Sequence, residues 1–345
     1  MSGLKLKFYP YTLELKNVFT IALNSRSATP VILTEIEYDG YTGFGEASMP
    51  PYLGESHSSA IEFLSKVDLT GYTNVFDLET ILTEVDEIAP GNTAAKASID
   101  IALHDVIGKM MNQPLCNIFG LNGANTPYTS FTIGIDSPAR IKEKVDEAGE
   151  YKILKVKLGR DNDKEIIETI RTITRKPIIV DVNQGWEDRE QALDMVYWLK
   201  AHNVKLVEQP FSKDKLKDTA WLTKWSPLPI FADESIQRLE DVIKSKDFFS
   251  GINIKLMKCS GLREAYKMIL LAKAIGLKVM LGCMTETSCA ISAASHLSPL
   301  ADFTDLDGAQ LIKNDVFEGT KIINGKVTLS GLPGIGVKKL GENIT

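Results

Sequence analysis

Lys155 and Lys157 interrupt an otherwise apolar run, Ile153-Leu154-Lys155-Val156-Lys157-Leu158. A run of this composition reads as a buried strand, and strand side chains two apart share one face. Two ammonium groups side by side repel and lower each other's pKa, which is one way to make a lysine a base near neutral pH. Two solvated lysines at a strand end would read the same in isolation. The residues that follow separate the two readings. Asp181 stands in Val180-Asp181-Val182-Asn183, Glu208 in Glu208-Gln209-Pro210, Asp233 in Ala232-Asp233-Glu234-Ser235 and Lys255 in Asn253-Ile254-Lys255-Leu256, with Asp305 and Asp307 in Thr304-Asp305-Leu306-Asp307-Gly308. From Lys157 to Lys255 the intervals are 24, 27, 25 and 22 residues, each close to one strand plus one helix. Surface charges would not keep that phase.

Asp181, Glu208 and Asp233 on successive strands would repel one another without a cation. Oxygen ligands without His or Cys suit a hard ion, and Mg²⁺ fits because it keeps positions open for water or substrate. The bland alternative is a set of unrelated strand-end acids, each capping a helix or paired with a lysine.

The elements that must hold these residues can be read from periodicity. After Asn125-Thr126-Pro127, short apolar strands alternate with amphipathic helices. Strands are expected at 129–133, 153–158, 178–182, 206–208, 230–233, 251–256 and 278–282, with a helix after each. Strict alternation gives a parallel sheet, and so many units in series favour a closed barrel whose active site lies at the C-terminal ends of the strands. An open doubly wound sheet is the rival, but no G-x-G-x-x-G follows its first strand. Gly331, Gly334 and Gly336 open no helix and read as turn glycines. Residues 1–47 alternate as antiparallel strands with a hairpin turn at Asp39-Gly40. Two polar stretches, 24–29 and 48–55, read as loops of the kind that form lids. From Ser58 to Met111 the period is helical, and Ala95, Ile99, Ala102, Leu103 and Val106 share one face. His104 and Asp105 inside that helix read as a packed or capping pair. His57, His202 and His296 are isolated and structural.

Composition sets outer bounds. A chain of 345 residues can bury two domains or one large barrel with an appendage. A net charge of -6 argues against nucleic-acid binding. No apolar run approaches a membrane span and the N-terminus has no signal-peptide core. Cys116, Cys259, Cys283 and Cys289 lack C-x-x-C spacing and read as reduced thiols of a cytoplasmic protein.

The runs Lys-x-Lys, Asp-x-Asn, Glu-Gln-Pro, Asp-Glu-Ser and Asn-Ile-Lys resemble the enolase superfamily in its muconate-lactonizing subgroup. With Asp-x-Asp at the last strand, the pattern is most similar to the dipeptide epimerases. The resemblance spans nearly the whole chain, including Ile99 to Asp105. It implies a modified (β/α)7β TIM-type barrel over residues 125–320, an α+β capping domain with specificity loops over 1–124, and a segment, 321–345, returning to the capping domain. It implies one Mg²⁺ per subunit on Asp181, Glu208 and Asp233, where a Lewis acid would stabilise an enediolate. Lys157 and Lys255 would exchange the α-proton of a dipeptide's C-terminal residue on opposite faces, a 1,1-proton transfer. Lys155 would keep Lys157 unprotonated and oriented, with Asn183 behind the metal. Asp305 and Asp307 would take the peptide's ammonium, Thr132 would hydrogen-bond the substrate, and Cys283, Met284 and Thr285 would line the pocket.

For acidic side chains the family uses an arginine in the first capping loop. Asn24 stands at the aligned position, so Arg26 is the expected partner of a substrate carboxylate, with a solvent-facing Arg26 as the alternative. The implied substrate is L-Ala-D/L-Glu, as in murein peptide salvage. An N-acylamino acid racemase, an o-succinylbenzoate synthase or a cycloisomerase shares the scaffold, but none has an ammonium for Asp305 and Asp307. A small dipeptide is the expected partner, with no nucleic acid and no membrane; a homo-oligomer is compatible with this reading.

Overall fold

The computed structural model describes residues 3–341. Its first layer is an antiparallel sheet of β1 (Lys5–Thr20), β2 (Ser25–Tyr38) and β3 (Tyr41–Ser48). The β2–β3 turn has positive φ at Asp39 (48°) and Gly40 (83°), the backbone that two-residue hairpins favour. Residues 25–28, expected in a loop, belong to β2: Ser25 pairs with Thr20 and Arg26 with Phe19. Their polarity reflects an exposed ribbon rather than a connection.

Helices α1 (His57–Leu64) and α3 (Thr93–Met110) pack on the sheet, and α2 (Leu78–Glu87) packs on α3. The expected one-sided burial of α3 is not what forms. Every residue from Thr93 to Gly108 is buried, because α3 is enclosed between β3 and later parts of the chain. Gly43 and Gly45 on β3 permit this approach: a Cβ there would stand 2.1 and 1.9 Å from the carbonyl oxygens of Ala102 and Ser98.

After α4 (Leu115–Ile118), eight parallel strands alternate with seven helices. They are β4 (Ser130–Ile133), α5 (Pro138–Glu147), β5 (Ile153–Lys157), α6 (Asp163–Arg171), β6 (Ile178–Asp181), α7 (Arg189–Ala201), β7 (Val204–Glu208), α8 (Leu216–Trp225), β8 (Ile230–Ala232), α9 (Leu239–Ser245), β9 (Gly251–Ile254), α10 (Leu262–Ala274), β10 (Lys278–Gly282), α11 (Ser288–Ser295) and β11 (Phe303–Asp305). The strands lie in chain order, and a parallel bridge between Thr129 and Thr304 joins the first to the last. The architecture is a (β/α)7β barrel. The register places Lys157 beside Asp181, and Asp181 beside Glu208. The repeated spacing thus becomes one tier at the C-terminal ends of the strands.

Beyond β11, a hairpin of Lys321–Ile323 and Lys326–Thr328 meets the chain just before β4: the Thr129 amide donates to Gly325 O at 3.0 Å. The tail then reaches α3, where the Ile335 amide donates to Asp105 Oδ1 at 2.9 Å. Gly331, Gly334 and Gly336 all have positive φ, as turn glycines do.

Candidate active site

Lys155 and Lys157 both point into the barrel and meet Asp181 Oδ2, at 3.1 and 2.6 Å. Lys155 also stands 2.8 Å from Glu208 Oε2 and 2.8 Å from Asp305 Oδ2. Burial works against its charge, but Asp305, Glu208 and Asp181 outweigh that and hold Lys155 well above the usual lysine range. The expected mutual depression of the two lysines therefore does not govern Lys155, because three carboxylates surround it.

On the far side of the barrel, Lys255 donates to Asp233 Oδ2 at 2.7 Å, just after β9. Burial opposes its charge too, and Asp233 and Tyr52 override it. β5 and β9 are four strands apart in a ring of eight, so Lys157 and Lys255 enter the mouth from opposite sides.

Asp181, Glu208 and Asp233 are buried, and one oxygen from each lies within 4.8 Å of the others. Asn253 donates to Glu208 Oε1 at 2.7 Å. Glu208 Oε2 accepts no hydrogen bond among the described residues, although the Lys155 ammonium stands 2.8 Å away. Burial and then the Asp181 charge push the Glu208 carboxyl up to about 7. An all-oxygen, buried set with an orphaned oxygen and a strained charge balance fits a hard divalent cation.

The remaining expected residues converge on the same cavity. Thr132 donates its amide to Asp307 Oδ2 at 2.6 Å and its hydroxyl to Asp307 Oδ1 at 3.0 Å. Asp305 Oδ1 accepts from Ser130 at 2.7 Å while Oδ2 takes Lys155, so both its oxygens are engaged. Burial and the Asp305 charge push Asp307 up to about 7. Asn183 donates its amide to Asp181 Oδ1 at 3.0 Å, and its own Oδ1 is buried without a donor. Cys283, Met284 and Thr285 line the cavity with Phe19, Ile21 and Tyr52.

Arg26 enters from β2 and donates to Thr285 Oγ1 at 3.2 Å, its guanidinium 5.3 Å from the Phe19 ring centre. Its Nε is buried without a partner, and burial lowers the pKa of the guanidinium. No acidic side chain among the described residues forms a salt bridge with it.

Several residues of the site were not anticipated from sequence. Lys258, buried, donates to Asp233 Oδ1 and Asp233 O. Gln209 receives the amides of Asp233 and Ser235 at 2.9 and 3.1 Å. Tyr52 donates to Met284 Sδ at 2.9 Å. Gln209 stands beside a singled-out acid and Lys258 three residues beyond Lys255, which was signal enough. Tyr52 lies in the 48–55 stretch that reads as a lid-type loop, but nothing in that stretch marked it among its neighbours.

The barrel and its tier of lysines and acids define a family. Residues 8–120 match the mandelate racemase / muconate lactonizing enzyme N-terminal domain, and residues 136–341 match the enolase C-terminal domain-like family. The chain belongs to this family, within the enolase superfamily. Among relatives, the L-Ala-D/L-Glu epimerase of Bacteroides thetaiotaomicron is 59% identical over 98% of this chain and 88% of that protein. The substrate-liganded L-Ala-D/L-Glu epimerase of Bacillus subtilis superimposes with a TM-score of 0.92 at 28% identity, covering 99% of this chain and 100% of that one. The dipeptide epimerase of Enterococcus faecalis, complexed with Mg and L-Leu-L-Tyr, gives 0.89 at 29% identity over 98% and 99%.

Proposed function

We propose that the chain is a Mg²⁺-dependent dipeptide epimerase that inverts the C-terminal residue of L-Ala-L-Glu and its D-Glu diastereomer. One observation carries the choice of an acidic substrate: Arg26 is aimed into a lined cavity with its Nε buried and unpartnered, and no acid among the described residues forms a salt bridge with it. A guanidinium in that setting is matched by a substrate carboxylate. The named epimerases among the relatives support the reaction.

Asp181, Glu208 and Asp233 would hold the ion, which supplies a Lewis acid for the substrate carboxylate. Lys157 and Lys255 face the space above it from opposite sides. One removes the α-proton and the other returns one to the opposite face, which inverts the carbon. Lys155 keeps its proton and orients the acids around it. Asp307, the less committed of the two eighth-strand acids, takes the substrate ammonium, and Asp305 anchors Lys155.

The test is incubation with a small L,L-dipeptide library in D₂O with Mg²⁺, read by mass spectrometry. Deuterium should enter Ala-Glu. Arg26→Met should lower kcat/KM for Ala-Glu by about a hundredfold, the weight of a charged hydrogen-bonded pair, and spare Ala-Ala. Uptake confined to apolar dipeptides would remove the acidic-substrate reading.

A further inference from the structure

The tip of the β1–β2 hairpin, Ile21-Ala22-Leu23-Asn24, rests on the loop that follows the lysine strand. It is a tight turn, closed by the Ile21 amide donating to Asn24 O at 3.0 Å. Arg160 lies three residues beyond Lys157. Its Nη2 donates to Ile21 O at 3.0 Å and its Nε to Ala22 O at 3.3 Å. Beneath the tip, Gly159 has φ 103°, and a Cβ there would stand 3.0 Å from Ala22 Cβ and 2.5 Å from Val182 O. The tip therefore sits in a close-fitting seat with a two-pronged catch on its carbonyls.

What the catch controls lies two to five residues further along the hairpin. Thr20 pairs with Ser25 and Phe19 with Arg26, so fixing the tip fixes the ribbon that carries the Arg26 side chain. Arg26 itself is held by a single hydrogen bond to Thr285 and by the Phe19 ring. Besides the catch, the tip is tied by the buried Ile21 side chain, which lines the cavity. Leu23 is 68% exposed, and the flanking Thr20 carbonyl accepts the Ile135 amide at 3.0 Å. Arg160 has no acidic side chain among the described residues as salt-bridge partner, so its charge is directed at the two carbonyls.

We infer that Arg160 is a specificity-positioning residue: by holding the Ile21 and Ala22 carbonyls it sets the hairpin at the height where Arg26 meets the substrate side chain. The inference rests on the reading of Arg26 given above. It also ties substrate selection to the strand of Lys157, because Arg160 and Lys157 share one short stretch of backbone. Removing the catch lets the tip lift. The mouth still holds the ion and both lysines, while the arginine is no longer fixed in depth.

The experiment compares Arg160→Ala and Arg160→Lys with the parent enzyme on Ala-Glu and Ala-Ala, scored as kcat/KM by deuterium uptake in saturating Mg²⁺. Arg160→Ala should lower the preference for Ala-Glu over Ala-Ala about tenfold, through KM rather than kcat, as expected for losing hydrogen bonds from a charged donor. Arg160→Lys, which can reach one carbonyl at a time, should recover part of it. Equal losses on both dipeptides, or an unchanged preference, would overturn the role of Arg160 and leave that of Arg26 standing. A parent enzyme without preference for Ala-Glu would overturn the reading of Arg26, and this inference with it. Melting temperatures confirm that the variants are folded; if Arg160→Ala is not, the lysine variant reads the same ratio.

Discussion

At the scale of single residues, the two lysines proposed as bases lie against different acids. Lys157 lies against Asp181, and Lys255 against Asp233. A base on each side of the substrate carbon has a consequence that one base lacks. With Lys157→Ala, Lys255 can still exchange the α-proton presented to its own face, but nothing returns a proton from the other side. Each single variant should lose epimerisation, by at least about a thousandfold, while taking up deuterium from one diastereomer and not the other. The two variants should show opposite diastereomers. Proton NMR in D₂O, with L-Ala-L-Glu and L-Ala-D-Glu run separately, reads this directly. Uptake from both diastereomers by either variant would mean that one lysine suffices.

At the scale of elements, carboxylates of the N-terminal layer reach across to backbone amides later in the chain. Asp100 on α3 accepts the Leu262 and Arg263 amides at the start of α10, at 2.5 and 3.2 Å. Glu46 on β3 accepts the Thr287 and Ala290 amides at the start of α11, at 2.9 and 3.3 Å. Helix N-termini leave amides unpaired, so these acids serve as caps supplied from a distance. Burial nevertheless pushes the Glu46 carboxyl up from 4.5 to about 7, against the pull of its bonds to Thr287. The folded state then holds a proton that the unfolded chain releases. This contribution to stability is full below about pH 4.5 and fades as pH rises to about 7, by about 3 kcal/mol at most. Glu46→Gln should flatten that part of the Tm–pH curve relative to the parent, and thermal melts from pH 4.5 to 8 check it. Parallel curves would mean that Glu46 is ionised throughout in the folded protein. These cross-chain caps explain what the sequence could and could not reveal. Asp105 read as a capping or packed residue because it lies within a helix, and it does accept the Ile335 amide. Seven of the eight barrel strands were legible as short apolar runs between helical stretches, most of them ended by a polar residue. The caps that α3 supplies were not, since nothing in Ile335 or Leu262 marks which distant acid will receive its amide. Arg26 was visible as a residue, but its place on a strand was hidden by a polar stretch that composition assigns to a loop.

At the scale of the whole molecule, the mouth of the barrel gathers charges that would be costly in isolation, and most are answered within the chain. Lys155 meets Asp181, Glu208 and Asp305, and Lys255 and Lys258 share Asp233. Buried ions paired in this way do not force the barrel apart. Around them, one hydrophobic core extends from Leu4 to Val337 and a second, of Ile179, Leu206, Phe231 and Met280, lies among the barrel strands, so the fold rests on burial rather than on any one charge. An ion on the three acids therefore adds to a fold that already stands. At a hundred times its dissociation constant it contributes about 2.7 kcal/mol, and for a chain of this size that is a Tm difference of about 4 °C. Chelation should stop turnover, restorable by Mg²⁺, while far-UV circular dichroism keeps its native form and melting stays cooperative at the lower temperature. A protein that unfolds outright in EDTA at 25 °C would show that the lysines do not balance the acids, and that the ion is part of the fold in the way a structural zinc is.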